Sequence, residues 1–242
     1  MKSDIWYGGR LTLRQPIKGF KATTDALLLA AAIPQTAQHV LELGAGVGAA
    51  SLALAARLEQ AKVTAIECDE EIAALLAQNI TDNEMSARVV AVTGDAFDVS
   101  PLWEGRHDLV MMNPPYNDHR STLSDDEYRK AAMATDDLGR WIKAAAKGLA
   151  PKGRLVMISR ADKLDEIMRG LTPDFGDISL KPIYTKTDDT AKRVLVSARK
   201  GVEGPLSIMP SLMLDQDEYA LNGGGLDMIP KGRNVGRIKL PS

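Results

Sequence analysis

Short apolar runs and helix-spaced apolar stripes alternate along most of this chain. His39-Val40-Leu41-Glu42-Leu43 reads as a strand, and the Ala- and Leu-rich stretch Ala49 to Glu59 as the helix after it. Lys62 to Ile66 is a second strand. Asp69 is placed to cap a helix whose Ile72, Leu75, Leu76 and Ile80 recur at three- and four-residue steps. Arg88 to Val92 and Asp108 to Met112 read as the third and fourth strands, and Asp136 to Leu149 as a helix. Pro151-Lys152-Gly153 is a turn, Leu155 to Ile158 a fifth strand and Asp162 to Leu171 a helix. Ile178 to Tyr184 and Arg193 to Ala198 are the last two strands, joined by the polar loop Thr185 to Thr190. With no helix between them, they are expected to pair as an antiparallel hairpin. Repeated strand–helix units imply an α/β fold, with a mostly parallel seven-stranded sheet and helices on both faces.

The flanks break this rhythm. In residues 1–38, Leu11-Thr12-Leu13 alternates like a short strand, and Gly8-Gly9 marks a hairpin turn before it. Thr24-Asp25 is suited to cap a helix through Ala26 to Ala32, which Pro34 ends. Residues 39–200 form the core domain. Residues 201–242 hold Pro205, Pro210, Gly223-Gly224-Gly225 and Pro230, and read as an irregular appendage with a mobile end.

Composition narrows the class. The 242 residues are 45% hydrophobic and 26% charged, as in an ordinary globular protein. A formal net charge of -2 does not drive the chain onto nucleic acid, so RNA binding would need local patches. The single cysteine excludes an internal disulfide and a cysteine-built metal site, and fits a reducing cytoplasm. Three scattered histidines give no metal site. No apolar stretch is long enough for a membrane span.

Candidate chemistry gathers at the strand ends. Glu42-Leu43-Gly44-Ala45-Gly46-Val47-Gly48 lies between the first strand and its helix, where glycines let backbone N–H groups approach a ligand. Gly44-x-Gly46-x-x-Ala49 also satisfies the relaxed dinucleotide fingerprint, with Glu67 as the ribose-binding acid. Two acids favour S-adenosylmethionine (AdoMet) instead. Glu42 would place a negative group near the mouth of the site, which suits a cation better than a pyrophosphate. Asp95, in Gly94-Asp95-Ala96, would accept from an adenine amine.

Asn113-Pro114-Pro115-Tyr116 follows the apolar run Leu109 to Met112. Two prolines stop the strand in a rigid extended turn. An amide and an aromatic ring then stand at a strand's carboxyl end, where open α/β sheets bind ligands. The Asn113 side-chain oxygen and the Pro114 carbonyl can each accept one N–H of a planar amine, turning its lone pair toward a methyl donor. Tyr116 can stack on the base.

These motifs resemble class I AdoMet-dependent methyltransferases of the small-domain group, and most closely bacterial tRNA adenine-N6 methyltransferases acting on a valine tRNA. The likeness covers nearly the whole chain. It includes Thr24-Asp25, the glycine loop, Ile66-Glu67-Cys68-Asp69, Gly94-Asp95 and Asn113 to Tyr116. It continues through Trp141 to Ala145, Ser159 to Asp162, and Ala191 to Val196. It implies a Rossmann-like fold. By it, Glu42, Gly44, Ala45, Gly46, Gly48, Glu67, Cys68, Asp95, Ala96 and Asn113 line the AdoMet site, and Thr24 and Asp25 border it. Asn113 to Tyr116 hold the target amine, and tRNA is the partner. The acids between Tyr116 and Asp137 are a departure, since an acidic rim is unexpected beside an RNA site.

Rival readings remain. The Asn-Pro-Pro-Tyr signature is shared with protein glutamine-N5 methyltransferases, which usually carry a helical amino-terminal domain. A guanine-N2 rRNA methyltransferase more often has Phe where Tyr116 stands. A nucleotide-binding oxidoreductase, or a non-enzymatic nucleotide-binding protein, would use the glycine loop alone. Lys181, Lys186, Lys192, Arg193 and the basic terminal segments are candidates for phosphate contact or simply for a solvated face. His119 could touch substrate. Cys68 and Trp141 read as packing residues. The oligomeric state is left open.

Overall fold

The computed structural model describes residues 2–6, 9–17, 21–98, 103–115, 137–186 and 188–214. Tyr116, His119, Gly8, the acidic stretch up to Asp136 and the tail from Asp215 lie outside the described residues. The chain opens with β1 (Lys2–Trp6) and β2 (Leu11–Gln15), an antiparallel hairpin, followed by α1 (Thr24–Ala32). Then come β3 (His39–Leu43), α2 (Ala49–Arg57), β4 (Lys62–Glu67), α3 (Glu70–Asp82), β5 (Val89–Thr93) and β6 (His107–Met112). After these follow α4 (Leu138–Gly148), β7 (Leu149–Arg160), α5 (Leu164–Leu171), β8 (Phe175–Tyr184), β9 (Arg193–Lys200), β10 (Ser207–Ile208) and β11 (Leu212–Met213).

The sheet runs β10-β8-β9-β7-β6-β3-β4-β5, with β11 also on β8. The pairs from β5 through β7 are parallel, and β9 is antiparallel to both β7 and β8. The seven expected strands are all present. β10 and β11 add to them, both parallel to β8, within the segment read as irregular. The expected turn at Pro151-Lys152-Gly153 falls inside β7. There the register with β6 jumps from His107↔Leu149 to Leu109↔Arg154, and Lys152 takes φ +64°.

Helices cover both faces. One apolar cluster joins α1, α2, α3 and β2 to one side of the sheet, and a second joins α4 and α5 to the other. α1 is apolar on nearly every side and is buried as such helices must be. Arg57 closes its carboxyl end by donating to the Ala30 carbonyl at 2.8 Å and the Ile33 carbonyl at 2.5 Å. Asp69 caps α3 as expected, accepting from the N–H groups of Glu71 and Ile72. No helix among the described residues is long and apolar enough to cross a membrane.

Candidate functional site

The chain leaves β3, adds β4 and β5 on one side, and returns to place β6 on the other side of β3. This reversal opens a crevice between the carboxyl ends of β3 and β6, where sheets of this kind bind ligands. Leu43 pairs with Met112, so Gly44 and Asn113 are the next residues at two neighbouring strand tips.

Gly44 has φ +69°, and a Cβ built there would lie 2.9 Å from the Trp141 ring. The α4 tryptophan therefore packs directly on the turn, with Phe97 edge-on to it at 5.1 Å between centroids. Gly48, at the start of α2, has φ +89°. The turn is tied to its neighbours by backbone bonds: Ala45 N–H donates to the Ile66 carbonyl at 2.8 Å, and Gly48 N–H to the Ala45 carbonyl at 3.0 Å.

Glu67 ends β4 almost buried. One carboxylate oxygen accepts Gly46 N–H at 2.8 Å, and the other accepts Asp69 N–H at 3.0 Å. It thus joins the glycine turn to the start of α3. The carbonyl of Glu67 accepts Gly94 N–H at 2.9 Å, which brings the Asp95 loop alongside. Asp95 is exposed, with Oδ1 accepting Phe97 N–H at 2.9 Å, while Ala96 is buried. Two carboxylates on consecutive loops can accept from hydroxyl and amine donors of one ligand.

Two side chains differ from expectation. Glu42 does not offer a charge at the mouth. Its side chain is 3% exposed and accepts a hydrogen bond from the Ser51 hydroxyl on α2. Burial, above all, pushes its carboxyl up to about 8, so it is largely neutral at pH 7. Cys68 is exposed rather than packed in the core. Partial burial, above all, and the neighbouring Glu67 raise its thiol to about 11, which keeps it protonated at neutral pH.

After β6, Asn113 is half-buried, Pro114 buried and Pro115 exposed. Thr24 and Asp25 form the first turn of α1, but the cap position belongs to Thr23 and makes no side-chain cap bond. Asp25 instead accepts from Arg193 Nε at 2.8 Å. Arg193 opens β9 opposite Arg160 at the end of β7, so this pair lies on the same rim of the sheet as Asn113. Two other basic candidates are also engaged within the chain. Lys192 pairs with Asp189 at 3.0 Å, and Lys181 donates to the Pro210 carbonyl at 2.8 Å.

Sequence reasoning missed Ser51 and Asn79. Asn79 interrupts the apolar stripe of α3, and a polar residue in a buried stripe is the signal that could have flagged it. Ser51 carried the same signal in weaker form, as the one hydroxyl within the apolar run of α2.

With this geometry in view, the likenesses are informative. Residues 21–180 match the family model described as methyltransferase small domain. A tRNA1(Val) (adenine(37)-N6)-methyltransferase of Porphyromonas gingivalis is 32% identical over an alignment of 182 positions, with 69% of this chain and 69% of that one covered. A solved structure from Agrobacterium tumefaciens, described as a predicted O-methyltransferase, is 30% identical with a TM-score of 0.67, covering 78% of this chain and 87% of that one. The 16S rRNA N2 G1207 methyltransferase of T. thermophilus, solved with AdoMet and guanosine, shares the fold at 20% identity and a TM-score of 0.57, covering 82% of this chain and 50% of that one.

Proposed function

The chain belongs to the methyltransferase small-domain family of AdoMet-dependent enzymes, and from that premise we propose that its acceptor is the N6 amine of an adenine in tRNA. The observation that carries the proposal is the placement of Asn113-Pro114 beside the glycine turn at the sheet's reversal point.

The residues present fit the cofactor. The turn passes so close to Trp141 that a side chain at Gly44 would collide with the ring, which leaves bare backbone facing the crevice. Glu67 suits ribose hydroxyls, Asp95 suits an adenine amine, and Gly44, Ala45, Gly46 and Gly48 shape the wall between them. Ala96, Cys68, Thr24 and Asp25 complete the border. When bound, AdoMet supplies a methyl group made electrophilic by its sulfonium.

The chain's own contribution is positional. The lone pair of an aromatic amine is delocalised into its ring, so the free amine is a weak nucleophile. Asn113 Oδ1 and the Pro114 carbonyl accept its two N–H groups and favour tetrahedral geometry at nitrogen, with no strong base needed. The neutral Glu42 beneath the turn adds no charge, so the acids that matter are Glu67 and Asp95. An oxygen acceptor, as the O-methyltransferase description of the Agrobacterium protein implies for that protein, brings at most one hydrogen and would leave half of this paired acceptor unused. The target base must leave its stack to reach the crevice, which favours a loop over a duplex. A tRNA acceptor is consistent with work in the cytoplasm.

The test is direct. Purified protein is incubated with an unmodified tRNA transcript and AdoMet bearing a deuterated methyl group, and the nucleosides are then resolved by mass. Label on N6-methyladenosine supports the proposal. Label on guanosine, or on a protein glutamine supplied in parallel, rejects it.

A further inference from the structure

Two asparagines one turn apart, Asn79 on α3 and Asn83 at its carboxyl cap, hold the N-terminal hairpin by its backbone. Asn83 Oδ1 accepts Thr12 N–H at 2.9 Å, and its Nδ2 donates to the Thr12 carbonyl at 2.8 Å. Asn79 repeats the pattern on Arg14: Oδ1 accepts its N–H at 2.7 Å, and Nδ2 donates to its carbonyl at 3.1 Å. The spacing explains the match. Side chains four apart on a helix stand about 6 Å apart, close to the rise of two strand residues. The amides therefore pair with alternate residues of β2 much as a neighbouring strand would.

Asn79 does one thing more. It is fully buried, and its Nδ2 also donates to the Val47 carbonyl at 2.9 Å. That carbonyl belongs to the peptide leading into Gly48, whose N–H closes the turn on Ala45. One side chain thus fixes the plane of a peptide in the glycine turn and the docking of β2. An amide has one oxygen and two N–H groups, and all are used here. From β2 the chain runs through Gln15, whose side chain accepts Ala22 N–H at 2.8 Å, to the first turn of α1 at the rim of the crevice.

We propose that Asn79 is a positioning residue that couples the docking of the N-terminal hairpin to the shape of the glycine turn, so that cofactor binding and hairpin order favour each other. Such coupling is reciprocal: the hairpin tightens the cofactor by the factor with which the cofactor tightens the hairpin. The inference rests on the reading of the glycine turn as the cofactor site.

Hydrogen exchange of the full chain with and without S-adenosylhomocysteine tests it. Exchange of the Leu11–Gln15 amides is expected to slow at least about fivefold more than that of β8 and β9, which report global stabilisation. Asn83→Ala loosens the hairpin without touching the turn, and is expected to weaken S-adenosylhomocysteine binding about fivefold. In an Asn79→Ala background, the same change adds nothing. The wild-type and Asn83→Ala measurements stand even where Asn79→Ala does not fold. Tight binding with unaltered hairpin exchange, or with full affinity in Asn83→Ala, overturns the coupling alone. Failure of the wild type to bind S-adenosylhomocysteine overturns the cofactor reading and the coupling with it.

Discussion

Arg193 Nε lies 2.8 Å from Asp25 Oδ2, joining the first turn of α1 to the start of β9 across 168 positions of sequence. The Asp25 side chain is only 13% exposed, so the pair is partly sheltered from solvent. Loss of Arg193 would strand a nearly buried carboxylate at the rim of the crevice. Arg193→Ala is expected to lower stability by about 1 kcal/mol, and a double-mutant cycle with Asp25→Ala to return a coupling of similar size. Additive single effects would show that the pair does not hold α1 in place.

Asn113→Ala separates binding from chemistry. Cofactor affinity, measured calorimetrically, is expected to stay near the wild-type value. Methyl transfer is expected to fall on the order of a hundredfold or more, as when a polar group that stabilises a transition state is lost. Transfer at the wild-type rate would remove Asn113 from the site.

Glu42 gives the fold a pH dependence of known sign. Its folded value of about 8 stands above the ordinary 4.5, so between these values the folded chain keeps a proton that the unfolded chain has released. Stability from this group is full below pH 4.5, declines as pH rises and levels off above about 8. Glu42→Gln keeps an acceptor for Ser51 and removes the titration. The variant and the wild type are expected to melt alike near pH 4, with the variant melting higher at pH 8.5. Parallel curves across that range would mean that Glu42 is not held neutral.

The parallel core was legible in the sequence because each strand is a compact apolar run, and β3, β5 and β6 are closed by a glycine or by proline. Leu109 to Met112 before Asn113 shows this most clearly. The two-residue strands at Ser207–Ile208 and Leu212–Met213 carry too little pattern to read, and they exist only because β8 offers an edge. Strand tips and their acids could be placed from sequence. The direction of a side chain could not. Glu42 alternates into the interior beneath α2, where Ser51 meets it, and Asp25 turns to an arginine 168 residues away. The roles of Trp141 against Gly44 and of Asn79 against Val47 depend on helix packing that no local pattern encodes.

Gly48 has a steric as well as a backbone constraint. With φ at +89° and a built Cβ only 2.4 Å from Leu76 Cδ1, an added methyl strains the turn and pushes on the core. Gly48→Ala is expected to cost about 1–3 kcal/mol in urea unfolding. An unchanged midpoint would show that the turn relaxes freely.

The central claim is adenine N6 methylation in tRNA. Nucleoside mass spectrometry of purified tRNA from cells with and without this gene tests it most directly. Loss of N6-methyladenosine on deletion, restored by the wild type but not by Asn113→Ala, is the predicted result. An unaltered tRNA profile after deletion would contradict it.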